Sequence, residues 1–146
     1  MIKQLTLLTT LSTRYHFATA LKYEYVTCGS VLKLYSANHD IRLHSHDVAY
    51  GTGSGQQSVT GVPNADDANS YWQVRGSTKI GSCKRGEPIK CGDDIRLTHM
   101  NSQKNLHSHG FQSPLTSQQE VSCFGTEGEG DHLDNWQVQC KCEKKV

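Results

Sequence analysis

No stretch of this 146-residue chain approaches 18 consecutive apolar residues, so nothing in it reads as a membrane-spanning helix. It has no charge excess. Fifteen basic residues against fourteen acidic leave +1 with histidine neutral, which gives no electrostatic footprint for nucleic acid or another polyanion. It has no C-x-x-C, which weakens zinc-ribbon and thioredoxin-like readings. It has no N-x-S/T sequon, since Asn69-Ser70-Tyr71 and Asn101-Ser102-Gln103 both fail at the third position. It has no G-x-S-x-G elbow and no segment with a 3.6-residue apolar stripe. What remains is a chain only 35% hydrophobic, rich in small polar residues and Gly. That composition suits short strands joined by turns, in one domain with a modest core.

Six cysteines are many for so short a chain. An even count favours an oxidising compartment, and six thiols allow 15 pairings. The first twenty residues agree. Lys3 precedes an apolar-leaning run from Leu5 to Leu11, and Ala18-Thr19-Ala20 has the small-x-small form of a signal-peptidase site. Arg14 and His16 interrupt the run, so a mitochondrial presequence is the rival reading. The reading favoured is a leader over 1–20.

The chain also repeats itself. Shifted by 63 residues, CGSVLKLYSANHDIRLHSH (28–46) falls on CGDDIRLTHMNSQKNLHSH (91–109). Cys28 meets Cys91, Leu43 meets Leu106, and LHSH meets LHSH without a gap. QQSVTG (56–61) then matches QQEVSC (118–123), and WQV (72–74) matches WQV (136–138), with slips in the loops between. Each unit reads as four strands: VLKLYSA, IRLHSH, QQSVTG and YWQVRG, then DIRLTHM, NLHSHG, QEVSCFG and NWQVQC. Alternation places Leu32 and Leu34 inward with Lys33 outward, and Trp72 and Val74 on the face opposite Gln73. Four strands repeating around an axis is the pattern of a β-trefoil, which has three such units.

CGSVLKL, NHDIRLHSHDVAYGTGSGQQSVTG, DDANSYWQVRG, GEPIKCGDDIRLTHMNSQKNLHSHGF and GEGDHLDNWQVQC resemble the MIR repeats of the stromal cell-derived factor 2 family. The resemblance covers about residues 24–140. It implies an all-β fold, a MIR-type β-trefoil, here incomplete with two of three repeat units. It implies residence in the endoplasmic reticulum lumen or secretion. It also implies a non-enzymatic role beside a lumenal J-domain co-chaperone and the lumenal heat-shock chaperone, handling unfolded clients. On this reading residues 21–142 form the repeat domain (unit one 24–80, unit two 81–142), followed by a tail at 143–146. Cys28, Cys83, Cys91 and Cys140 fit the family pattern and are the candidates for structural bridges, pairing open, whereas Cys123 and Cys142 do not. Two units alone would leave an open sheet edge, which suggests self-association.

The candidate chemistry is sparse. Residues i and i+2 of a strand share a face, so His44 with His46, and His107 with His109, are each capable of chelation. The pairs fall at equivalent places in different units, without a carboxylate at ligand spacing beside both, so no metal or other cofactor is expected. A strand role is the plainer reading of these imidazoles. They and Gln57 and Gln119 are kept as candidate ligand-binding residues, and glycans are the alternative ligand to a protein client. Ser45 and Ser108 beside histidines do not make a triad, and no catalytic residue is assigned. GTGSG (51–55) leads into a strand and reads as a flexible loop rather than a phosphate cradle. Asp66-Asp67 and the acids of 127–131 read as solvated loops. Trp72 and Trp136 read as core rather than as sugar platforms.

Overall fold

A computed structural model describes residues 25–114 and 116–140. The leader reading at 1–20, Cys142 and the tail lie outside the described residues. The fold is all-β. Its strands are β1 (Val31–Leu32), β2 (Tyr35–Ser36), β3 (Ile41–Ala49), β4 (Gln57–Val62), β5 (Trp72–Gly76), β6 (Asp94–His99), β7 (Asn105–Gln112), β8 (Gln119–Phe124) and β9 (Trp136–Gln137). Two 3-10 turns, Ala68–Ser70 and His132–Asp134, precede β5 and β9.

The repeat is reproduced in the pairing of its hairpins. In unit one β3 pairs antiparallel with β4, His44 opposite Thr60 and Ser45 opposite Val59, with a register shift before Ala49 meets Gln57. In unit two β7 pairs with β8, His107 opposite Ser122 and Ser108 opposite Val121, with the same shift before Gln112 meets Gln119. Asp40 and Gln103 hold positive φ, 49° and 55°, at the matching turn before each hairpin. The indole Nε1 of Trp72 donates to Leu43 O at 3.0 Å, and that of Trp136 to Leu106 O at 2.9 Å. The units join through β5 against β6, five residue pairs from Trp72↔His99 to Gly76↔Ile95, and through β4 against β8.

Trp72, Val74, Leu97, Leu106 and Cys123 form the apolar centre. Trp72 is fully buried, and Trp136 packs on the cluster from its margin. The alternation of Trp72 and Val74 against Gln73 is present, as read. The first strand differs from its reading. It breaks at Lys33-Leu34 into β1 and β2, and Leu34 is 39% exposed. Lys33 is tied down instead, its ammonium donating to Ala65 O and lying 4.3 Å from the centroid of the Tyr71 ring. Arg96 does the corresponding work in unit two, donating to Gly76 O, Gly128 O and Gly81 O at 2.7–3.0 Å.

Cys28 is bonded to Cys83 and Cys91 to Cys140. Cys91 and Cys140 clasp the two ends of unit two, where Gly92 N donates to Val138 O at 2.7 Å and Val138 N to Asp93 O at 2.9 Å. In unit one the place matching Cys140 is Gly76. A Cβ there would stand 3.0 Å from Cys83 N, so Cys83 packs onto the bare glycine and closes the bridge to Cys28 from outside. Cys123 is a buried free thiol, and burial raises its pKa to about 11 despite the bond to Ser45. It is no nucleophile near neutral pH.

Candidate functional site

The two LHSH hairpins carry the polar chemistry, and most of it is internal. In unit one His44 Nδ1 stands 2.8 Å from Asp67 Oδ2. A carboxylate only accepts, so the ring proton sits on Nδ1, and His44 Nε2 accepts from His46 Nδ1 at 2.7 Å. Ser70 Oγ donates to the same carboxylate at 2.5 Å. The result is an Asp67–His44–His46 chain running from the interior to an exposed imidazole. In unit two His107 Nδ1 donates to Asp134 Oδ1 at 2.8 Å, with Asp131 Oδ1 at 3.8 Å. Asp134 occupies the place of Ser70, is fully buried, and closes a capping box with Asp131 on the second 3-10 turn.

These carboxylates correct the sequence reading. Each histidine pair does have an acid beside it, brought from 23 and 27 residues downstream by a 3-10 turn. The acids before the WQV strands are therefore not all solvated. Among the described residues, His107, Asp131 and Asp134 are also the group whose ligand atoms cluster closely enough for a metal ion, all within 4.8 Å. Every one of them is already engaged in the cap or with its neighbour. The four histidines are not brought into one shell. His109 turns to another partner, donating from Nε2 to Glu120 Oε1 at 3.2 Å.

Nothing in the sequence sets Glu120 apart, because it looks like any strand acid. It is fully buried. The GTGSG loop wraps it: Ser54 Oγ donates to Oε1 and Ser54 N to Oε2 at 3.4 Å. The loop thus does cradle an anion, one belonging to the other unit. Gly53 at φ +75° has no room for a side chain, since a Cβ would lie 2.4 Å from Glu120 Oε2. Ser45 is buried and donates to Ser58 O at 2.7 Å, so it is directed into the ladder and away from the imidazoles.

Three groups tie this network to pH. Burial opposes the ionisation of Glu120 and Asp67, but the bonds from Ser54 and His109, and from Ser70 and His44, outweigh it, so both pKa values lie below their ordinary ones. Burial also lowers the pKa of His99 from 6.5. A group whose folded pKa is depressed stabilises the fold above its unfolded pKa, and that contribution is lost as pH falls. Stability measured by denaturant titration is therefore expected to decline first below about pH 6.5 and more steeply in the carboxylate range near pH 4. Glu120→Gln is expected to flatten the acid limb. A profile that stays level from pH 7 to 4 would contradict this.

The seam between the units is the second polar region. Gln57 Nε2 bonds Ser45 Oγ at 2.7 Å and, across the seam, Ser102 Oγ at 2.9 Å. Ser122 Oγ donates to Gln56 Oε1, and Tyr50 OH to Val121 O at 3.1 Å. Gln119 repeats the Gln57 contact in unit two, reaching Ser108 Oγ at 2.8 Å from an exposed position. An apolar groove of about 520 Å3 is lined by Leu34, Ile41, Leu43 and Val59 of unit one and Val121 of unit two, and Leu43, Val59 and Val121 also pack against the core cluster.

Comparison with known proteins gives this geometry a family. The MIR domain pattern matches residues 24–145. Stromal cell-derived factor 2 of Mus musculus is 66% identical over 115 residues, covering 79% of this chain and 54% of the relative. The chain spans about half the length of the curated relatives it matches. The crystal structure of the SDF2-like protein from Arabidopsis thaliana superposes with a TM-score of 0.77 at 46% identity, over 83% of this chain and 66% of that one. The S. cerevisiae protein O-mannosyltransferase Pmt1-Pmt2 complex, solved with its sugar donor, gives 0.70 at 30% identity over 84% of this chain and 17% of that one. With that match running from before the first LHSH hairpin to beyond the second, the chain belongs to the MIR domain family.

Proposed function

We propose that this chain is a non-enzymatic binding module of the endoplasmic reticulum lumen or the secretory pathway, accessory to chaperone-mediated folding. Its repeat domain is divided here at 24–80 and 81–142, as two units of a trefoil. The observation that carries the reading is the open apolar groove of Leu34, Ile41, Leu43 and Val59, a surface suited to apolar segments of unfolded clients. The two disulfides suit an oxidising lumen. The likeness to stromal cell-derived factor 2 proteins supports a lumenal J-domain co-chaperone and heat-shock chaperone as partners. The pairing of His44 and His107 with carboxylates and the inward turn of Ser45, which leaves no hydroxyl beside the exposed His46, support binding over catalysis.

The groove also serves self-association when no client is present. Light scattering is expected to show mass rising with concentration, and Leu34→Asp to abolish the rise. Leu34 is partly exposed, so the variant keeps the fold. A wild-type mass that stays monomeric at every concentration would oppose this part of the proposal.

Carbohydrate binding is the second reading. It is supported by the similarity to a chain from the O-mannosyltransferase complex solved with a sugar donor and by the polar seam around Gln57.

A further inference from the structure

Gln57 sits on the seam, 3% exposed, and the hydrogens around it can be placed by elimination. Ser45 Oγ gives its one proton to Ser58 O. His99 Nε2 faces Asn69 O at 3.0 Å, an acceptor, so that nitrogen carries the ring proton. His99 Nδ1 is then an acceptor for Ser102 Oγ at 2.9 Å. Both serines have spent their protons and can only accept from Gln57. The carboxamide must turn its NH2 group to both, which fixes its orientation. Gln57 Oε1 is then left as the buried side-chain polar atom that, among the described residues, has no hydrogen-bond partner. A buried acceptor left unmade costs free energy, so the site calls for a donor.

Gln57 lines a cleft of about 370 Å3 together with Asp47, Ala49, Lys104, Phe124 and Gly125. Lys104 Nζ stands 3.9 Å from Asp47 Oδ1. A second depression of about 430 Å3 shares the same two residues and continues toward His46 and Asn101. An anionic ligand would meet Asp47 and a cationic one Lys104, so the pair favours a neutral molecule. A hydroxyl donates and accepts at once. It can donate to Gln57 Oε1 or Asp47 while accepting from Lys104, and Phe124 with Ala49 offers an apolar wall to ring C–H groups.

We infer that this cleft binds a neutral polyhydroxylated ligand of monosaccharide size, with Gln57 Oε1 as the buried acceptor and Asp47 and Lys104 at the rim. The inference rests on the carbohydrate reading and gives it a place. The test is nuclear magnetic resonance titration of the full chain with the methyl glycosides of mannose, glucose, galactose and N-acetylglucosamine. At least one is expected to bind saturably and to shift the Gln57 side-chain amide. Asp47→Asn, at a side chain 94% exposed, is expected to keep the fold and weaken binding about tenfold or more. Lys104→Met gives a second rim variant with the same expectation. Saturable binding that leaves the Gln57 amide unmoved and survives both substitutions would overturn the cleft but not the carbohydrate reading. No saturable binding by any glycoside would overturn both.

Discussion

Replacing Cys91 and Cys140 together by serine is expected to lower the unfolding free energy by about 4 kcal/mol, with a comparable loss for the Cys28–Cys83 pair. The bridges span 49 and 55 residues. In the chain-entropy view, cutting such a loop restores that much freedom to the unfolded ensemble. The loss matters more here than in most domains of this size. Among the described residues, five apolar ones make up the central cluster, whereas thirteen polar or charged ones are also buried. A core of that kind gains less from apolar burial and depends more on its crosslinks and hydrogen bonds. With total stabilities of about 5–15 kcal/mol usual for small domains, reduction of both bridges is expected to unfold the chain near physiological temperature. Denaturant titration followed by the fluorescence of Trp72 and Trp136 measures this. A loss under about 1 kcal/mol per bridge would mean that the crosslinks are incidental to the fold.

Asp134→Ala is expected to cost about 3–5 kcal/mol. Asp134, itself fully buried, accepts from the buried His107 Nδ1 at 2.8 Å and Asn105 Nδ2 at 3.1 Å, and from Asp131 N at 2.9 Å. Truncation takes the partner from the buried His107 Nδ1 and one of the two acceptors from Asn105 Nδ2, which keeps Gly128 O. Removing the acid that holds the hairpin histidine of unit one, Asp67→Ala, is expected to cost about 1–3 kcal/mol. Its side chain is 17% exposed and water can reach the freed groups. Equal losses in the two variants, measured by thermal unfolding under one condition, would contradict the asymmetry drawn between the units.

The strands were legible in the sequence because the 63-residue repeat supplied two readings of each. A strand that is ambiguous in one unit is visible in the other. The hairpins appear where IRLHSH, QQSVTG, NLHSHG and QEVSCFG placed them, extended to Ala49 and Gln112. Leu34 was misread because strict alternation assumes an unbroken strand, and the chain breaks pairing at Lys33-Leu34. The candidate site was legible in its histidines and in Gln57, but not in its acids. Asp67, Asp134 and Glu120 look like surface residues in one dimension. Only the 3-10 turns and the crossing of the GTGSG loop carry them inward. Burial of a charge depends on partners far along the chain, which composition and local period do not encode.

In the proposed role, the groove of Leu34, Ile41, Leu43 and Val59 is the surface that takes unfolded protein. The direct measurement is the light scattering of a secretory client that aggregates on mild heating without reductant, with and without the purified chain. The wild-type chain is expected to suppress aggregation near equimolar ratio, and Leu34→Asp to lose that effect while unfolding at the same denaturant concentration. A client that aggregates at the same rate with and without the wild-type chain would contradict the proposed role.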